Sequence, residues 1–116
     1  MLCDSRYPTY VLRTWVRERK VLSLEEAVRR MTTDPADFFG IRDRGRLQPG
    51  LAADVTLFKA DTVGMEKSAE RLHDLPGGGK RMVKRSRGIE MTLVNGEPTW
   101  EKGALTGASA GKVLRS

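Results

Sequence analysis

His73 is the only histidine of this 116-residue chain, and Cys3 is its only cysteine. Catalytic zinc sites usually hold the metal with several His, Cys or carboxylate ligands that converge on it. One His and one Cys that lie far apart in sequence do not supply such a set. We therefore predict no metal ligand and no catalytic residue in this chain. The expected place of His73, next to Asp74, is a loop where it contacts backbone or solvent, or faces a substrate pocket.

Cys3 is the second candidate for chemistry. A cysteine becomes a nucleophile when a neighbouring base or positive charge favours its thiolate form. Arg6 is the one residue close in sequence that offers such a charge. We expect Cys3 to be a small buried residue. With a single cysteine, no disulfide can form within the chain.

A glycine run, Gly77–Gly79, stands directly before Lys80 and is similar to part of a phosphate-binding loop. The full pattern needs an earlier glycine, where this chain has Asp74, and a Ser or Thr after the lysine, where it has Arg81. Nucleotide binding is therefore excluded. The glycines are expected to form a tight or mobile loop.

The segment from Lys80 to Arg87 is the one dense basic run in a chain whose net charge is +6. No aromatic residue is interleaved to stack on bases, and acidic residues accompany most of the other cations. A solvated or carboxylate-paired surface is the expected interpretation, and nucleic-acid binding is not. The alternative is a small basic binding or assembly module for nucleic acid or a partner subunit, whose affinity for nucleic acid would fall steeply with salt.

Composition limits the class of protein. Hydrophobic residues make up 39% of the chain and charged residues 31%, as in a folded domain and unlike a disordered tail. No apolar stretch is long enough to span a membrane, and no signal-peptide pattern is present. We expect a cytoplasmic protein.

The first forty residues have the apolar spacing of helices. One stripe predicts a helix over about 8–20, and a second helix starts at Ser23, which forms a capping-box pattern with Glu26. A short helix is expected over 35–39, with Asp34 as its cap. The stripe of the first helix consists of Val11, Leu12, Trp15 and Val16.

After Gly40, a residue suited to end a helix, the sequence changes to strands and turns. Residues 54–58 form a β-rich run with apolar residues on both sides, which predicts partial burial of both faces. The region 60–88 is expected to be an irregular loop. Residues 89–101 predict a hairpin, because apolar and polar residues alternate up to Asn95-Gly96, the preferred type I′ pair.

Several segments, in order along the chain, resemble the C-terminal region of amidohydrolase-superfamily enzymes in the branch of the N-acyl-D-amino-acid deacylases. They include Leu22–Val28, Met31-Thr32, Asp34–Ala36, Gly40-Ile41, Asp43–Leu47, Pro49-Gly50, Ala53–Val55, His73–Pro76, Gly78-Gly79, Val94–Glu97, Gly103–Gly107 and Gly111–Arg115. The resemblance implies an α+β fragment. Residues 1–40 would be helices from the end of a (β/α)₈ barrel, and residues 41–116 a small antiparallel β domain.

The resemblance also implies a chemistry. Enzymes of this family hydrolyse carbon–nitrogen (non-peptide amide) bonds with one or two metal ions, usually zinc, and an aspartate that shuttles a proton. Their metal-ligand histidines and catalytic aspartate lie upstream of the matching region, and none is present in this sequence. Zinc is thus implied for the full-length family and no cofactor for this chain. We expect it not to be catalytic alone.

The start of the chain resembles the segment that follows the family's catalytic aspartate, through Cys3–Ser5 and Tyr7–Tyr10. Asp4 is not an obvious replacement for that aspartate. The expectation is a truncation, a gene fragment or one half of a split gene. Its partner would be the missing barrel portion, or a second copy bound through the apolar helix stripe. Tyr7 and His73 are the two candidates for lining a substrate pocket.

Overall fold

The computed structural model describes residues 6–114, in which three helical stretches precede eight short strands. The expectations for Cys3 and Asp4 lie outside the described residues. The helices are α1 (Tyr7–Tyr10), which continues as a π-helical segment (Val11–Glu18), then α2 (Leu24–Met31) and α3 (Thr33–Phe38). The strands are β1 (Val55–Phe58), β2 (Gly64–Met65), β3 (Glu70–Leu75), β4 (Gly79–Val83), β5 (Ser86–Arg87), β6 (Ile89–Val94), β7 (Glu97–Glu101) and β8 (Ala104–Leu105). Among these residues, no helix combines the length and apolar character needed to cross a bilayer.

The first predicted helix is confirmed, although its geometry changes along its length. It begins at Tyr7, with Pro8 in the first turn, where a missing N–H costs nothing. From Val11 the turns widen, and at the end the N–H of Arg19 donates to the carbonyl of Thr14, five residues back, at 2.8 Å. The helix stops at Glu18, and Lys20 turns the chain with a positive φ of 52°.

The second helix begins as predicted. The Ser23 hydroxyl accepts a hydrogen bond from the backbone N–H of Glu26 at 3.1 Å. This bond satisfies one of the N–H groups that lack a partner at a helix start. The Glu26 carboxylate in turn accepts from Arg30, one helical turn further on, at 2.6 Å.

The third helix ends at a glycine as expected but is not capped as expected. Asp34 lies inside α3 and binds the guanidinium of Arg29 at 2.9 Å, so it does not cap the helix. At the other end, Gly40 has a φ of 69°, and the N–H of Ile41 donates to the carbonyl of Ala36 at 2.8 Å. This six-to-one bond defines a Schellman stop, which favours glycine at the left-handed position.

The main sheet has four antiparallel strands in the order β1-β6-β7-β8. The predicted hairpin is confirmed as β6 and β7, with Val94 paired to Glu97 across the turn. Asn95 and Gly96 have φ values of 50° and 82°, the two positive angles that a type I′ turn requires.

The irregular loop predicted for 60–88 is wrong. Its strands form two separate two-stranded ladders, β2 with β5 and β3 with β4, and the second is closed by a tight turn at Pro76–Gly78. Five of the six residues of β3 are exposed and three are charged, so the strand has no alternation of apolar and polar residues that the sequence could show.

Burial of both faces of the first strand is only partly observed. Val55 and Phe58 are half-buried, whereas Leu57 is 55% exposed. The register with β6 shifts between Leu57 and Phe58, so the strict two-residue alternation fails at that step.

A small core joins the helices to the strands. Leu12 and Ala27 from the helices pack with Val63, which precedes β2. Arg17 reinforces this junction, because its guanidinium donates to the carbonyls of Ala60 at 3.1 Å and Val63 at 2.8 Å. Seven half-buried apolar side chains surround the core: Val11, Val16, Leu22, Leu24, Met31, Phe58 and Ile89.

Candidate functional site

Tyr7 lies at the start of α1 and lines an apolar groove on the helical side of the molecule. The groove encloses about 560 Å³. Its other lining residues are Val11, Trp15, Val21, Leu22, Ala27, Arg30 and Met31. Arg30, the one charged residue among them, is already paired with Glu26 at 2.6 Å. The groove therefore offers an apolar surface and no constellation of reactive groups.

His73 lies elsewhere, on the exposed strand β3. Its neighbour Asp74 is engaged by Arg81 on β4, which donates to both carboxylate oxygens, at 2.7 and 2.5 Å. His73 is not among the residues that line the groove of Tyr7. The structure thus does not bring the two candidates into one pocket, and their role in substrate binding stays a prediction.

The donor set needed for a catalytic metal does not fit the residues described. Across residues 6–114, no group of three or more His, Cys, Asp or Glu side chains lies close enough together to hold a metal ion. His73 supplies one nitrogen on an exposed strand, and its neighbouring carboxylate is engaged by Arg81. No catalytic step can be derived through a metal held by these side chains.

A polar cluster that sequence reasoning missed connects the chain segments around the main sheet. We call it the Arg44 cluster, formed by Arg44, Asp54, Asn95 and the carbonyl of Ala110. The Arg44 guanidinium bonds the Asp54 carboxylate and donates to the Asn95 side-chain oxygen at 2.8 Å. Asp54 accepts from the backbone N–H of Asn95 at 2.8 Å, and the Asn95 amide donates to the Ala110 carbonyl at 2.6 Å.

The electrostatics of the Arg44 cluster follow from these contacts. The backbone hydrogen bond from Asn95 and the neighbouring Arg44 guanidinium hold the pKa of Asp54 below its usual value. Asp54 in turn raises the pKa of Arg44. The Arg44 side chain is only 16% exposed, and its buried Nε has no hydrogen-bond partner, with an Asp43 oxygen 3.7 Å away. The cluster fixes backbone positions and presents no open reactive group.

The basic run from Lys80 to Arg87 is partly neutralised. Arg81 binds Asp74, and Arg85, two residues after the end of β4, lies 3.3 Å from Glu70 on β3. The hydrogen bond from Arg81 lowers the pKa of Asp74. This arrangement agrees with the carboxylate-paired surface expected from the sequence.

Comparisons with known proteins identify the family. The family model for amidohydrolases matches residues 4–100. An N-acyl-D-glutamate deacylase from Alcaligenes xylosoxydans xylosoxydans is 47% identical over 88 residues, which are 76% of this chain and 16% of that protein.

Two solved structures carry the same arrangement. The crystal structure of D-aminoacylase superposes with a TM-score of 0.76 at 36% identity, over 94% of this chain and 21% of that one. An N-acyl-D-glutamate deacylase from Bordetella bronchiseptica, complexed with zinc and a phosphonate inhibitor, gives a TM-score of 0.71 at 39% identity, over 93% and 20%. The chain spans about a fifth of the length of these relatives. With a family match over most of its residues, the chain belongs to the amidohydrolase family.

Proposed function

We propose that this chain forms the C-terminal region of a metal-dependent hydrolase that cleaves the carbon–nitrogen bond of N-acyl-D-amino acids, and that it is not catalytic alone. The observation that carries the proposal is the identity with N-acyl-D-glutamate deacylase, which extends over three quarters of the chain. The likeness of backbone to D-aminoacylase supports the same class of substrate.

In this proposal the helices of residues 6–40 are the last helices of a (β/α)₈ barrel, and the strands that follow are a small domain attached to it. The zinc described for the deacylase from Bordetella bronchiseptica would act on water and on the amide carbonyl. The described residues of this chain do not fit a metal, and in this proposal the metal ligands lie in another part of the enzyme. The role of this chain is to complete and brace the barrel.

The surface that contacts the rest of the enzyme is, we propose, the groove of Tyr7. Its lining is mostly apolar, and Trp15 is 38% exposed there with the Arg19 guanidinium 5.7 Å from its ring centre. Exposed apolar patches of this kind mark association surfaces. When the rest of the enzyme is absent, the same surface would drive self-association.

The test is a chimera in which this chain replaces the matching region of the N-acyl-D-glutamate deacylase from Alcaligenes. We expect the chimera to hydrolyse N-acetyl-D-glutamate, and the isolated chain to show neither turnover nor stoichiometric zinc after dialysis. A folded, zinc-loaded chimera inactive on the N-acetyl derivatives of D-glutamate, D-aspartate and D-methionine would contradict the proposed function. So would turnover by the isolated chain.

The role of the groove has its own test. Trp15→Asp places a charge on the groove, whereas Leu105→Asp places one on β8, where Leu105 is 79% exposed. We expect Trp15→Asp, and not Leu105→Asp, to lower the yield of assembled chimera and to reduce self-association of the isolated chain. A wild-type chain that sediments as a monomer at high concentration would count against self-association.

The alternative of a basic binding module makes a different prediction, namely retardation of DNA or RNA at low salt. With Arg81 and Arg85 paired to carboxylates, we expect no such retardation. Binding that falls steeply with salt would favour the alternative.

A further inference from the structure

Asn95 is the only asparagine in the chain, and a glycine follows it. This dipeptide is chemically labile, and asparagine is one of the thermolabile residues that are less frequent in hyperthermophilic proteins. The backbone nitrogen of the following residue attacks the side-chain carbonyl carbon, and ammonia leaves as a five-membered succinimide closes. Water then opens the ring to aspartate or isoaspartate. Glycine allows this attack most easily, because it has no Cβ to obstruct the approach.

Hydrogen bonds hold both reacting groups: the Arg44 cluster holds the Asn95 amide, and Ala53 holds the nitrogen of Gly96. The Asn95 side-chain oxygen accepts from Arg44 at 2.8 Å, while its nitrogen donates to the Ala110 carbonyl at 2.6 Å. The amide is therefore held at both ends. The attacking nitrogen, that of Gly96, donates to the carbonyl of Ala53 at 2.9 Å. Ring closure removes the hydrogen that Gly96 donates to Ala53 and expels the nitrogen that donates to Ala110, so both of these hydrogen bonds must break.

The same contacts determine what conversion to aspartate would do. An ionised carboxylate has no hydrogen-bond donor. An oxygen would stand where the Asn95 nitrogen now donates, facing the Ala110 carbonyl oxygen at 2.6 Å. The bond to Arg44 could persist, but the bond to Ala110 would become a repulsive contact.

That bond is important for the C-terminal segment, residues 106–114. Thr106 is tied to β7 through its backbone N–H and its hydroxyl, at 3.1 Å to Thr99 and 2.6 Å to Pro98. Beyond Thr106, the bond from Asn95 to Ala110 is the one hydrogen bond that joins the described part of the segment to the sheet. Its loss would leave residues 107–114 without a hydrogen bond to the described part of the sheet.

We propose that Asn95 is a deamidation site kept latent by the Arg44 cluster, and that its conversion to aspartate releases the C-terminal segment from the sheet. This inference does not depend on the proposed enzymatic function, because it follows from contacts within the chain.

The rate of deamidation tests the first half. The full chain is incubated near neutral pH, folded or in concentrated urea, and its intact mass is followed. Because Asn95 is the only asparagine and Gln48 the only glutamine, peptide mapping assigns any change of amide to acid. Two hydrogen bonds must break first in the folded chain, so we expect deamidation there to be slower by on the order of ten-fold or more.

Two variants connect this rate to the cluster. Arg44→Met removes the partner of the Asn95 oxygen, and a chain that ends at Ser109 removes the Ala110 carbonyl without touching the sheet. Both should deamidate faster than the wild type. Equal rates for folded wild type and urea-denatured chain would overturn the proposal. So would an unchanged rate in the shortened chain, which keeps the test valid if Arg44→Met does not fold.

Backbone dynamics test the second half. In Asn95→Asp we expect the heteronuclear ¹H–¹⁵N NOE of residues 107–110 to fall towards the values of a free chain end, because this part of the segment loses its hydrogen bond to the sheet. The amides of α2 serve as the internal control and should not change. An unchanged NOE across 107–110 in a folded Asn95→Asp chain would overturn the release of the segment.

Discussion

Two antiparallel hairpins of this molecule differ in what surrounds them. The hairpin of β6 and β7 lies between β1 and β8, and every residue of β6 is half-buried. The hairpin of β3 and β4 pairs only with itself in the described chain, and most of its residues are exposed. Both turns use positive φ angles, at Asn95-Gly96 in one and at Gly77-Gly78 in the other.

The two hairpins also differ in what holds them together. The turn of β6 and β7 is fastened from outside, because Asp54 and Ala53 accept hydrogen bonds from the backbone of Asn95 and Gly96. The hairpin of β3 and β4 has one cross-strand ion pair, Asp74 with Arg81, and a second pair joins Glu70 to Arg85 just after β4; both pairs are solvent-exposed. Exposed ion pairs contribute little, and an isolated two-stranded hairpin is marginally stable in water. Similar backbone geometry therefore rests on different sources of stability.

The largest difference in stability between the two regions should appear when one methyl group is added to a glycine. Gly88 precedes β6 with a φ of 74°, and a Cβ there would stand 2.7 Å from the backbone of Val63. Gly78, in the other hairpin, has a φ of 72° and nothing within 4 Å of an added Cβ. Left-handed strain plus overpacking predicts that Gly88→Ala lowers the free energy of unfolding by about 3 kcal/mol.

Gly78→Ala is the matched control, since it carries the left-handed strain without the clash. We expect it to cost no more than about 1 kcal/mol. Urea denaturation followed by circular dichroism measures both variants. Equal losses for the two would show that the contact with Val63 does not support the sheet.

A smaller effect on stability should appear when the pH is lowered and Asp54 becomes protonated. The pKa of Asp54 is lowered in the folded chain by the backbone N–H of Asn95 and by Arg44. Its stabilising contribution is therefore complete above the unfolded carboxyl pKa of about 4, and is lost as pH falls through the lower folded value. Asp54→Asn should destabilise the chain at neutral pH, by less than Gly88→Ala, and should flatten the loss of stability below about pH 4.

The measurement is the free energy of unfolding of wild type and Asp54→Asn at neutral and at acidic pH. If the two proteins lose stability in parallel as pH falls, Asp54 is not the titrating group. The variant should also deamidate faster at Asn95, since it loses an ionic contact of the Arg44 cluster.

Features that depend on neighbouring residues were predictable from the sequence, and features that depend on distant residues were not. The capping box at Ser23 and the turn at Asn95-Gly96 were predicted because each is a signal between residues close in the chain. The hairpin of β3 and β4 was missed, because exposed strands carry no alternation of apolar residues. The Arg44 cluster was missed for another reason. Arg44 and Asn95 are 51 residues apart in the sequence. The segment of Arg44 and the Asn-Gly turn can each be explained by neighbouring residues alone, so nothing in the sequence indicates that they are in contact.

For the candidate site too, one part was predictable from the sequence and another was not. Counting ligands in the sequence argues against a metal site, because that argument needs only residue types. Which residues line the groove was not predictable, because the groove forms where Tyr7 and Trp15 meet Val21, Leu22 and Met31 from the next segment. Amphipathic spacing predicts a face for each helix but not how two faces combine.

The smallest effect should come from the ion pair in the exposed hairpin. Asp74→Asn removes the charge that Arg81 binds, on a carboxylate that is 44% exposed. We expect no measurable change in the free energy of unfolding, because solvent screens this pair and no other strand depends on it. Hydrogen exchange in β3 and β4 should nevertheless become faster at low salt, since local opening of a hairpin can precede global unfolding. The difference from wild type should shrink as salt is added. A loss of global stability as large as that of Asp54→Asn would show that the exposed hairpin is integrated into the fold as firmly as β6 and β7.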